Sequence, residues 1–564
     1  MQKNILRELF VFTLVGLGVG FILTVVANSF VMGVEYVRQF RDSYSFLSIT
    51  IGSNSYSMTP ILSLLIAAFI IIWLKRFLGV TAWAGPADSI YAAHNPTRAL
   101  DLKVGLASTL AAFISASGGA SVGQYGPLVH FGGTVGAAFK RLFNSTISQD
   151  IWLGCGVAAA ISAGFNAPLA GVVFAHEAIL RHFSLRAIVP IFIASVSANT
   201  FDYILFPSSQ ASFQLYIEPP PLTEIVPLLL LFAPLLALLA TTFMMSIRFM
   251  QRLGGSLNKK NIPTPLLAAF ICGSVGVFLP EILGIGGNTM NNILGGSYSL
   301  TMLVVLLTGK FAMTALCLGF GLFGGIFSPS LFLGVTAGAV VGQIMIILGY
   351  AELAEMLSIA GMAAVSSAVV GAPIACIIIV MELTRSYDHA VISMIAVIIC
   401  NLVAHRINKG SFFDRQLIDR GIDIHKGRDA ILLAETKVGS FIKQDQIVLN
   451  KGYNGNDAYA LMNKHQTTEA YICDNKNILL GKVTLFNAIT AGMDPIEVCM
   501  DSDPLVFFHD ESLSRAMEKA SQFIGENIPV VDRASNTLLG VMTEGDLFHA
   551  VLAVQEQAKA LEKN

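Results

Sequence analysis

The segment Gly325–Pro329, GIFSP, leads into an apolar, glycine-rich stretch, SLFLGVTAGA. Earlier in the chain Gly123–Pro127, GQYGP, leads into a similar stretch, LVHFGGTVGA. Glycine and proline at the start of an apolar helix are typical of membrane helices that are interrupted inside the bilayer. Such an interruption, present twice, predicts a transporter or channel built from a repeat, with its ion site where the broken helices meet.

A second pair of matching segments follows, one after each of these. APLAGVVFAHE places Glu177 nine residues after Pro168, and APIACIIIVME places Glu382 nine residues after Pro373. For one segment alone, glycine and proline that only kink a packed helix would be the simpler interpretation. Four segments that match in pairs favour the repeat.

Composition places most of the chain in a membrane. Of its 564 residues 54% are hydrophobic and only 13% are charged, and the net charge is -2. A soluble domain carries about 25% charged residues, and the near-neutral charge argues against a nucleic-acid partner. The apolar stretch 10–33 is too long for a signal peptide and is predicted to be a first spanning helix. Seven cysteines without framework spacing are predicted to be reduced core residues.

The length of the apolar runs separates two kinds of membrane helix. Leu300–Phe320 and similar runs are long enough to span a bilayer, which takes about 20 residues. Lys103–Ser117, Pro127–Lys140 and Pro168–Leu180 are shorter, so we expect re-entrant or tilted helices packed inside protein. Lysine and arginine cluster at segment ends, and we place both termini in the cytoplasm.

The chain changes character near Asn408, where the apolar runs end. From Val438 onward, strand-like and helix-like segments alternate twice in the same order. The second half is the clearer, with NIPVVD and LLGVMT as strands and EGDLFHAVLAVQEQ as a helix. This order predicts a small α/β domain of two similar halves.

Together these segments resemble the CLC chloride channels and transporters. GIFSP matches the family's GxFxP motif, residues 165–171 match its FNAPLAG segment, and GQYGP lies at its GxEGP motif. The tail resembles a pair of CBS modules. The resemblance implies an all-α polytopic membrane protein, a CLC-type inverted-repeat bundle with re-entrant broken helices, followed by a cytoplasmic α/β CBS pair. It also implies a homodimer with one pore per subunit.

The implied domain boundaries follow the change in composition. We expect a membrane domain over residues 1–425, with repeats over roughly 60–205 and 225–407, and a tandem CBS domain over 426–564, with halves over roughly 436–493 and 496–558.

A dehydrated anion can be bound here without full positive charges. A helix N-terminus carries roughly half a positive charge and unpaired N–H groups, and several such ends meeting at mid-membrane would hold an anion loosely enough to conduct it. The candidate anion pathway comprises Trp83, Gly123, Gln124, Tyr125, Gly126, Pro127, Gly325, Ile326, Phe327, Ser328, Pro329 and Phe413.

Two departures from the family pattern concern proton coupling. The glutamate of GxEGP, the family's outer gate and proton carrier, is Tyr125 here, and the inner glutamate of proton-coupled relatives is Ala178. A phenol stays neutral at physiological pH, so Tyr125 cannot carry a proton near neutrality and is instead expected to narrow the outer pore. Glu177 is matched by Glu382, which favours a structural role, while a substitute proton path through His176 is the alternative.

Two further departures concern the central anion. The family's GSGIP serine falls on Trp83, or on Ala84 after a one-residue slip, and its inner tyrosine falls on Phe413. Both hydroxyl donors are therefore absent, which weakens the case for selectivity towards chloride. An indole N–H or the Tyr125 hydroxyl could substitute, and apolar packing is the competing interpretation of Trp83 and Phe413.

In the tail, Thr543 and Asp546 have the spacing with which some CBS modules hold adenosine nucleotides. Thr543 as a helix N-cap explains the same spacing without a ligand, and the first half has asparagine, Asn487, in place of the aspartate. We favour a structural tail, with adenosine nucleotide binding as the alternative.

The sequence therefore predicts a passive, uncoupled channel for chloride or a similar small monovalent anion, multi-pass in a bacterial inner membrane. A proton-coupled chloride antiporter is the alternative. A magnesium transporter would need clustered acids in its membrane segments, and the apolar core offers only Glu177 and Glu382. We find no nucleophile–base pair, metal-ligand spacing or phosphate loop, so we expect no catalytic residue, no metal and no required cofactor.

Overall fold

The computed structural model describes residues 2–44, 48–51, 54–95, 98–143, 147–207, 220–424, 427–521, 523 and 525–563. The chain divides into two units, Met1–Gly421 and Ile422–Asn564. The division comes just after the apolar runs end, which is where the composition changes.

Helices build the first unit, and its described residues include a short antiparallel hairpin, β1 and β2, after the first helix. Its elements are α1 Gln2–Ser43, β1 Ser48–Ile51, β2 Asn54–Ser57, α2 Thr59–Phe77, α3 Pro86–His94, α4 Leu102–Gly118, α5 Tyr125–Leu142, α6 Gln149–Phe165, α7 Pro168–Phe174, α8 Leu185–Leu205, α9 Leu222–Lys259, α10 Thr264–Phe278, α11 Gly287–Leu294, α12 Leu300–Gly319, α13 Phe327–Ile347, α14 Ala354–Val370, α15 Pro373–Thr384, α16 Tyr387–Asn408 and α17 Phe412–Ile418.

Among the described residues, eight helical segments are long and apolar enough to cross a membrane. They lie in α1, α2, α8, α9, α12, α13, α14 and the α16–α17 region. Four apolar helices are shorter, Leu102–Gly118, Pro168–Leu180, Thr264–Phe278 and Pro373–Thr384. Short apolar helices are therefore interspersed among the long ones.

The first helix is much longer than the sequence predicted. The expected span was 10–33, whereas α1 covers Gln2–Ser43. The Arg38 guanidinium donates to both carboxylate oxygens of Glu35, at 2.6 and 2.8 Å. Ion pairs at this helical spacing stabilise the polar turns that continue α1 beyond its apolar stretch.

The broken helices begin where glycine and proline predicted a break. α5 begins at Tyr125 and α13 at Phe327, so that Pro127 and Pro329 are each the third residue of a helix. Proline in a first turn removes no internal hydrogen bond. α7 continues as a short π-helical turn over Ala175–Leu180, so Pro168–Leu180 is helical throughout.

The same packing occurs twice in the unit. α5 packs on α6 and α6 on α8, and later α13 packs on α14 and α14 on α16. A Cβ on Gly156 would lie 1.8 Å from the Gly132 carbonyl oxygen, and one on Gly361 would lie 2.4 Å from that of Gly334. Glycine pairs thus bring backbones into contact at both crossings.

The second unit consists of two α/β halves of the same design. Each half has a three-stranded sheet whose first pair is parallel and whose second pair is antiparallel. The elements are α18 Gly427–Glu435, β3 Val448–Asn450, α19 Gly455–Lys464, β4 Glu469–Cys473, β5 Leu479–Thr484, α20 Leu485–Ala491, β6 Phe507–Phe508, α21 Leu513–Ala520, β7 Asn527–Val531, β8 Leu538–Thr543 and α22 Glu544–Lys563.

The two halves exchange their leading segments. Lys443, ahead of β3, forms a backbone bridge with Val541 of the second half, and Asp501, ahead of β6, forms one with Lys482 of the first. Val438 is fully buried in the apolar core of the second half. The halves therefore stabilise each other and are intertwined.

Candidate functional site

The two glycine–proline segments lie side by side in the first unit. The Gly123 N–H donates to the Gly325 carbonyl at 2.7 Å, and the Gly325 N–H donates back to Gly123 at 2.6 Å. A Cβ on Gly123 would lie 2.9 Å from both the Gly325 oxygen and the Pro329 ring. Glycine is required for this approach, which brings the starts of α5 and α13 together.

The first turns of these two helices present N–H groups without a hydrogen-bond acceptor. Within the described ranges nothing accepts from the amides of Tyr125, Gly126, Phe327 and Ser328. Each helix N-terminus is equivalent to roughly half a positive charge. Two such ends at one place favour an anion through partial charges alone.

A cavity of about 900 Å³ opens beside the helix starts, and Gln124, Tyr125, Phe165 and Ser328 line part of it. The Gln124 Oε1 and Ser328 Oγ atoms are buried and have no hydrogen-bond partner among the described residues. A serine hydroxyl can rotate to donate to an anion. Ser328, which the sequence analysis placed in the candidate anion pathway, therefore has a hydroxyl that can donate at the start of α13.

Tyr125 lies in a cluster of aromatic rings. Its ring stacks on Phe165, with centroids 3.6 Å apart, and meets Phe327 edge-on at 5.9 Å. Its hydroxyl donates to the Gly164 carbonyl at 3.1 Å, so this hydroxyl already has an acceptor and is not a free donor for an anion. Phe165 belongs to the FNAPLAG segment, so three of the matched segments meet around one ring.

The start of α3 and the loop before it approach the same place. A Cβ on Gly126 would lie 3.7 Å from the Pro86 ring, and the Trp83 ring lies 6.1 Å from that of Phe323, two residues before Gly325. Trp83 is thus close to the GIFSP segment. The amide of Ala84, the other candidate for the serine position, already donates a hydrogen bond to Ser108 Oγ at 2.9 Å.

Phe413 is 5% exposed and lies on α17, which packs against α3 and α14. Its ring meets Phe412 edge-on at 6.1 Å, which is apolar packing. Ala178 is fully buried in the π-helical turn, and its carbonyl accepts from Arg181 Nε at 3.0 Å. The structure brings Gly123–Pro127 and Gly325–Pro329 together, and it places Phe413 and Ala178 in tight packing.

The two matched glutamates cap helices of the opposite repeat. Glu177 accepts from the amides of Ile374 and Ala375 at the start of α15, at 3.0 and 2.8 Å. Glu382 accepts from the amides of Leu169 and Ala170 at the start of α7, at 3.0 and 2.9 Å. A carboxylate at a helix N-terminus is favourable, so each repeat holds the broken helix of the other.

In the tail, Thr543 and Asp546 form a reciprocal helix cap. Asp546 N–H donates to Thr543 Oγ1 at 2.9 Å, and the Thr543 N–H donates to Asp546 Oδ2 at 3.1 Å. Asp546 Oδ1 also lies 2.6 Å from Lys443 Nζ. Burial raises the pKa of Asp546, but hydrogen bonds from Lys443 and Thr543 outweigh burial and leave this pKa below its usual range. Both carboxylate oxygens are therefore engaged.

Lys310 is a residue that the sequence analysis missed. It lies within Leu300–Phe320, a run whose length and apolar composition predicted a membrane span. It is fully buried on α12. The available signal was a lone charge in an apolar run. No group of three His, Cys, Asp or Glu side chains in the described part of the chain is arranged to hold a metal ion.

Comparison with known proteins decides the family. The sequence model of the voltage-gated chloride channel family matches residues 66–405, and that of the CBS domain matches residues 496–553. This chain belongs to the voltage-gated chloride channel family. The CLC resemblance of the motifs is thereby confirmed.

Among its CLC relatives are both exchangers and channels. The H(+)/Cl(-) exchange transporter ClcA of Vibrio vulnificus (strain YJ016) is 31% identical over 323 residues, which cover 55% of this chain and 68% of that protein. The voltage-gated ClC-type chloride channel ClcB of Escherichia coli O81 (strain ED1a) is 23% identical over 416 residues, 72% of this chain and 98% of that protein. Membership of the family therefore does not fix the mode of coupling.

Solved CLC structures share the fold. A slow cyanobacterial Cl-/H+ antiporter superposes with a TM-score of 0.63 at 20% identity and covers 72% of this chain and 97% of its own. A eukaryotic CLC transporter gives a TM-score of 0.63 at 17% identity, with 97% of this chain and 99% of its own covered. The predicted fold, a CLC-type helical membrane unit with a CBS-containing α/β tail, is confirmed.

Proposed function

We propose that this chain is a passive, uncoupled channel for chloride or a similar small monovalent anion. The observation that carries this proposal is the pair Tyr125 and Ala178, which stand where proton-coupled family members have carboxylates. An antiporter exchanges protons for anions in a fixed ratio, so it needs groups that titrate along the path. Without them, only flow down a gradient remains. We assign no enzymatic step to the chain.

The choice of anion follows from the donors at the site. Four free amides and the Ser328 hydroxyl surround the starts of α5 and α13, and all of them are neutral donors. Neutral donors replace part of a hydration shell without holding the ion so tightly that it cannot leave. The ClcA and ClcB relatives are named for chloride, which supports the same choice.

Glu177 is a poor substitute proton carrier in this arrangement. Both its oxygens accept amide hydrogen bonds from α15, and protonation of either oxygen would weaken the bond that it accepts. The alternative, a coupled antiporter, depends instead on His176. Its Nδ1 lies 3.1 Å from the His182 carbonyl, and its buried Nε2 has no partner among the described residues.

Purified protein in liposomes tests the proposal. The vesicles are loaded with chloride, and chloride efflux and external pH are recorded together, with valinomycin to clamp the voltage. We expect efflux without proton movement. Proton uptake in a fixed ratio to chloride efflux would contradict the proposal, and its loss in His176→Ala would then assign the carrier.

For the rest of the molecule we propose the arrangement that the family resemblance implies. The chain would form a homodimer in a bacterial inner membrane, with both termini and the tail in the cytoplasm. The CBS pair would serve as a structural, intertwined domain rather than as a nucleotide sensor, because the Asp546 carboxylate is already held by Thr543 and Lys443.

Thermal unfolding of the full chain tests the structural tail. Thr543→Ala should destabilise the tail by about 1 kcal/mol, because it removes an N-cap. Millimolar ATP or AMP should leave the unfolding temperature of the wild type unchanged. A stabilisation that grows with nucleotide concentration and disappears in Asp546→Asn would show a nucleotide site instead.

A further inference from the structure

Lys310 is a buried positive charge on a membrane helix. It lies midway along α12, and its side chain is 0% exposed. Charged residues inside a membrane segment are costly, and they usually mark an ion pathway or an ion pair. In the described part of the chain no acidic side chain forms a salt bridge with Lys310.

The contacts of the ammonium group orient it without neutralising it. Nζ donates to the carbonyls of Ile282 and Gly284, at 3.0 and 2.7 Å. It also lies 5.1 Å from the centroid of the Phe332 ring. Backbone carbonyls and an aromatic face favour a cation, but neither carries a net charge. The positive charge of Lys310 therefore remains available to act on an ion nearby.

At Gly284 and Gly286 only backbone separates this charge from the cavity beside Tyr125. Gly284 and Gly286 both line the cavity. The Gly284 oxygen touches Nζ, and a Cβ on Gly286 would lie 3.6 Å from Nζ. Because neither residue has a side chain, the wall is one backbone thick at this point. Phe332, which Nζ faces, lies on α13, whose first turn supplies the free amides of Phe327 and Ser328.

We propose that Lys310 sets the anion affinity of the cavity, because its fixed charge attracts the permeating anion there. This inference rests on the proposed anion conduction. A charge behind the wall adds to the field of the α13 N-terminus without binding the ion directly. A Coulomb interaction across a given distance is stronger in a medium of low dielectric constant, whereas direct ligation by a full charge would slow release.

A purely structural role for Lys310 makes a different prediction. If Lys310 only stabilises the Ile282–Gly284 turn, then chloride affinity depends on its hydrogen-bond donors and not on its charge. Lys310→Gln keeps two N–H donors and removes the charge, whereas Lys310→Arg keeps the charge and changes the shape. The two variants therefore distinguish an effect of the charge from an effect of the hydrogen bonds.

The experiment measures chloride-dependent flux in liposomes and equilibrium chloride binding by calorimetry on the same purified proteins. Lys310→Gln and Lys310→Met should raise the half-saturating chloride concentration and the chloride Kd about tenfold. Lys310→Arg should stay within about threefold of the wild type on both measures. Arg248→Gln is the control, because Arg248 on α9 forms an ion pair with Asp419, just after α17, and it should match the wild type.

A half-saturating chloride concentration and a chloride Kd in Lys310→Gln equal to those of the wild type would overturn the proposal. Equal losses of chloride affinity in the Gln and Arg variants, both of normal stability, would also overturn it. If Lys310→Met does not purify as a monodisperse protein, the comparison of Gln with Arg decides. Proton-coupled flux in the wild type would refute the uncoupled channel, yet the comparison of chloride binding would still test Lys310.

Discussion

Tyr125→Ala is expected to raise anion flux about tenfold, which corresponds to a barrier lower by about 1.4 kcal/mol. The Tyr125 ring fills the space between the cavity and Phe327, stacked on Phe165 at a centroid distance of 3.6 Å. We expect an anion that moves from the cavity past Phe327 to displace this ring, because Tyr125 lies between them. Removing it costs packing energy, but it opens the path beside the free N–H groups.

Chloride efflux from liposomes measures this effect, with two variants for comparison. Tyr125→Phe keeps the ring and removes only the hydrogen bond to Gly164. It therefore shows whether the ring alone obstructs the path or whether the hydrogen bond is needed to hold the ring in place. Tyr203→Ala removes a tyrosine that is 68% exposed on α8 and should leave flux unchanged. Flux in Tyr125→Ala equal to that of the wild type would exclude a gate at this position.

The repeat and its breaks could be predicted because glycine and proline act locally. GIFSP and GQYGP predicted two interrupted helices, and α13 and α5 begin within these segments. The pairing of Glu177 with Glu382 predicted a structural role, and the hydrogen bonds to the start of the opposite broken helix are of that kind. In each case the local pattern constrains the backbone directly.

What the sequence could not predict depends on contacts between distant segments. The bridge between Gly123 and Gly325 and the stack of Tyr125 on Phe165 join residues whose proximity no local pattern encodes. Lys310 was overlooked because one charge barely alters the mean hydropathy of a long apolar run. Its importance appears only when the glycine wall between it and the cavity is seen.

The second large effect concerns the reciprocal caps, and it is a loss of stability. Glu177→Gln and Glu382→Gln should each destabilise the membrane unit by roughly 2–4 kcal/mol, because each replaces two charge-assisted hydrogen bonds at a helix N-terminus. A glutamine can still accept one bond, but its NH₂ group then faces a backbone N–H. Thermal unfolding in detergent measures the loss, and Glu224→Gln, an exposed acid in the first turn of α9, is the matched control.

The double variant tests whether the two caps act as one unit. α7 and α15 pack against each other, and the N-terminus of each is capped by a glutamate of the opposite repeat. Losing one cap should therefore loosen the packing that positions the other glutamate. We therefore expect the double variant to lose less stability than the sum of the single losses. Phe174 at the end of α7 lies 6.4 Å from Phe327, so the loosened pair should also disturb anion flux. Strict additivity with wild-type flux would show two independent caps. If the wild type does move protons, loss of that movement in Glu177→Gln would make this glutamate a carrier.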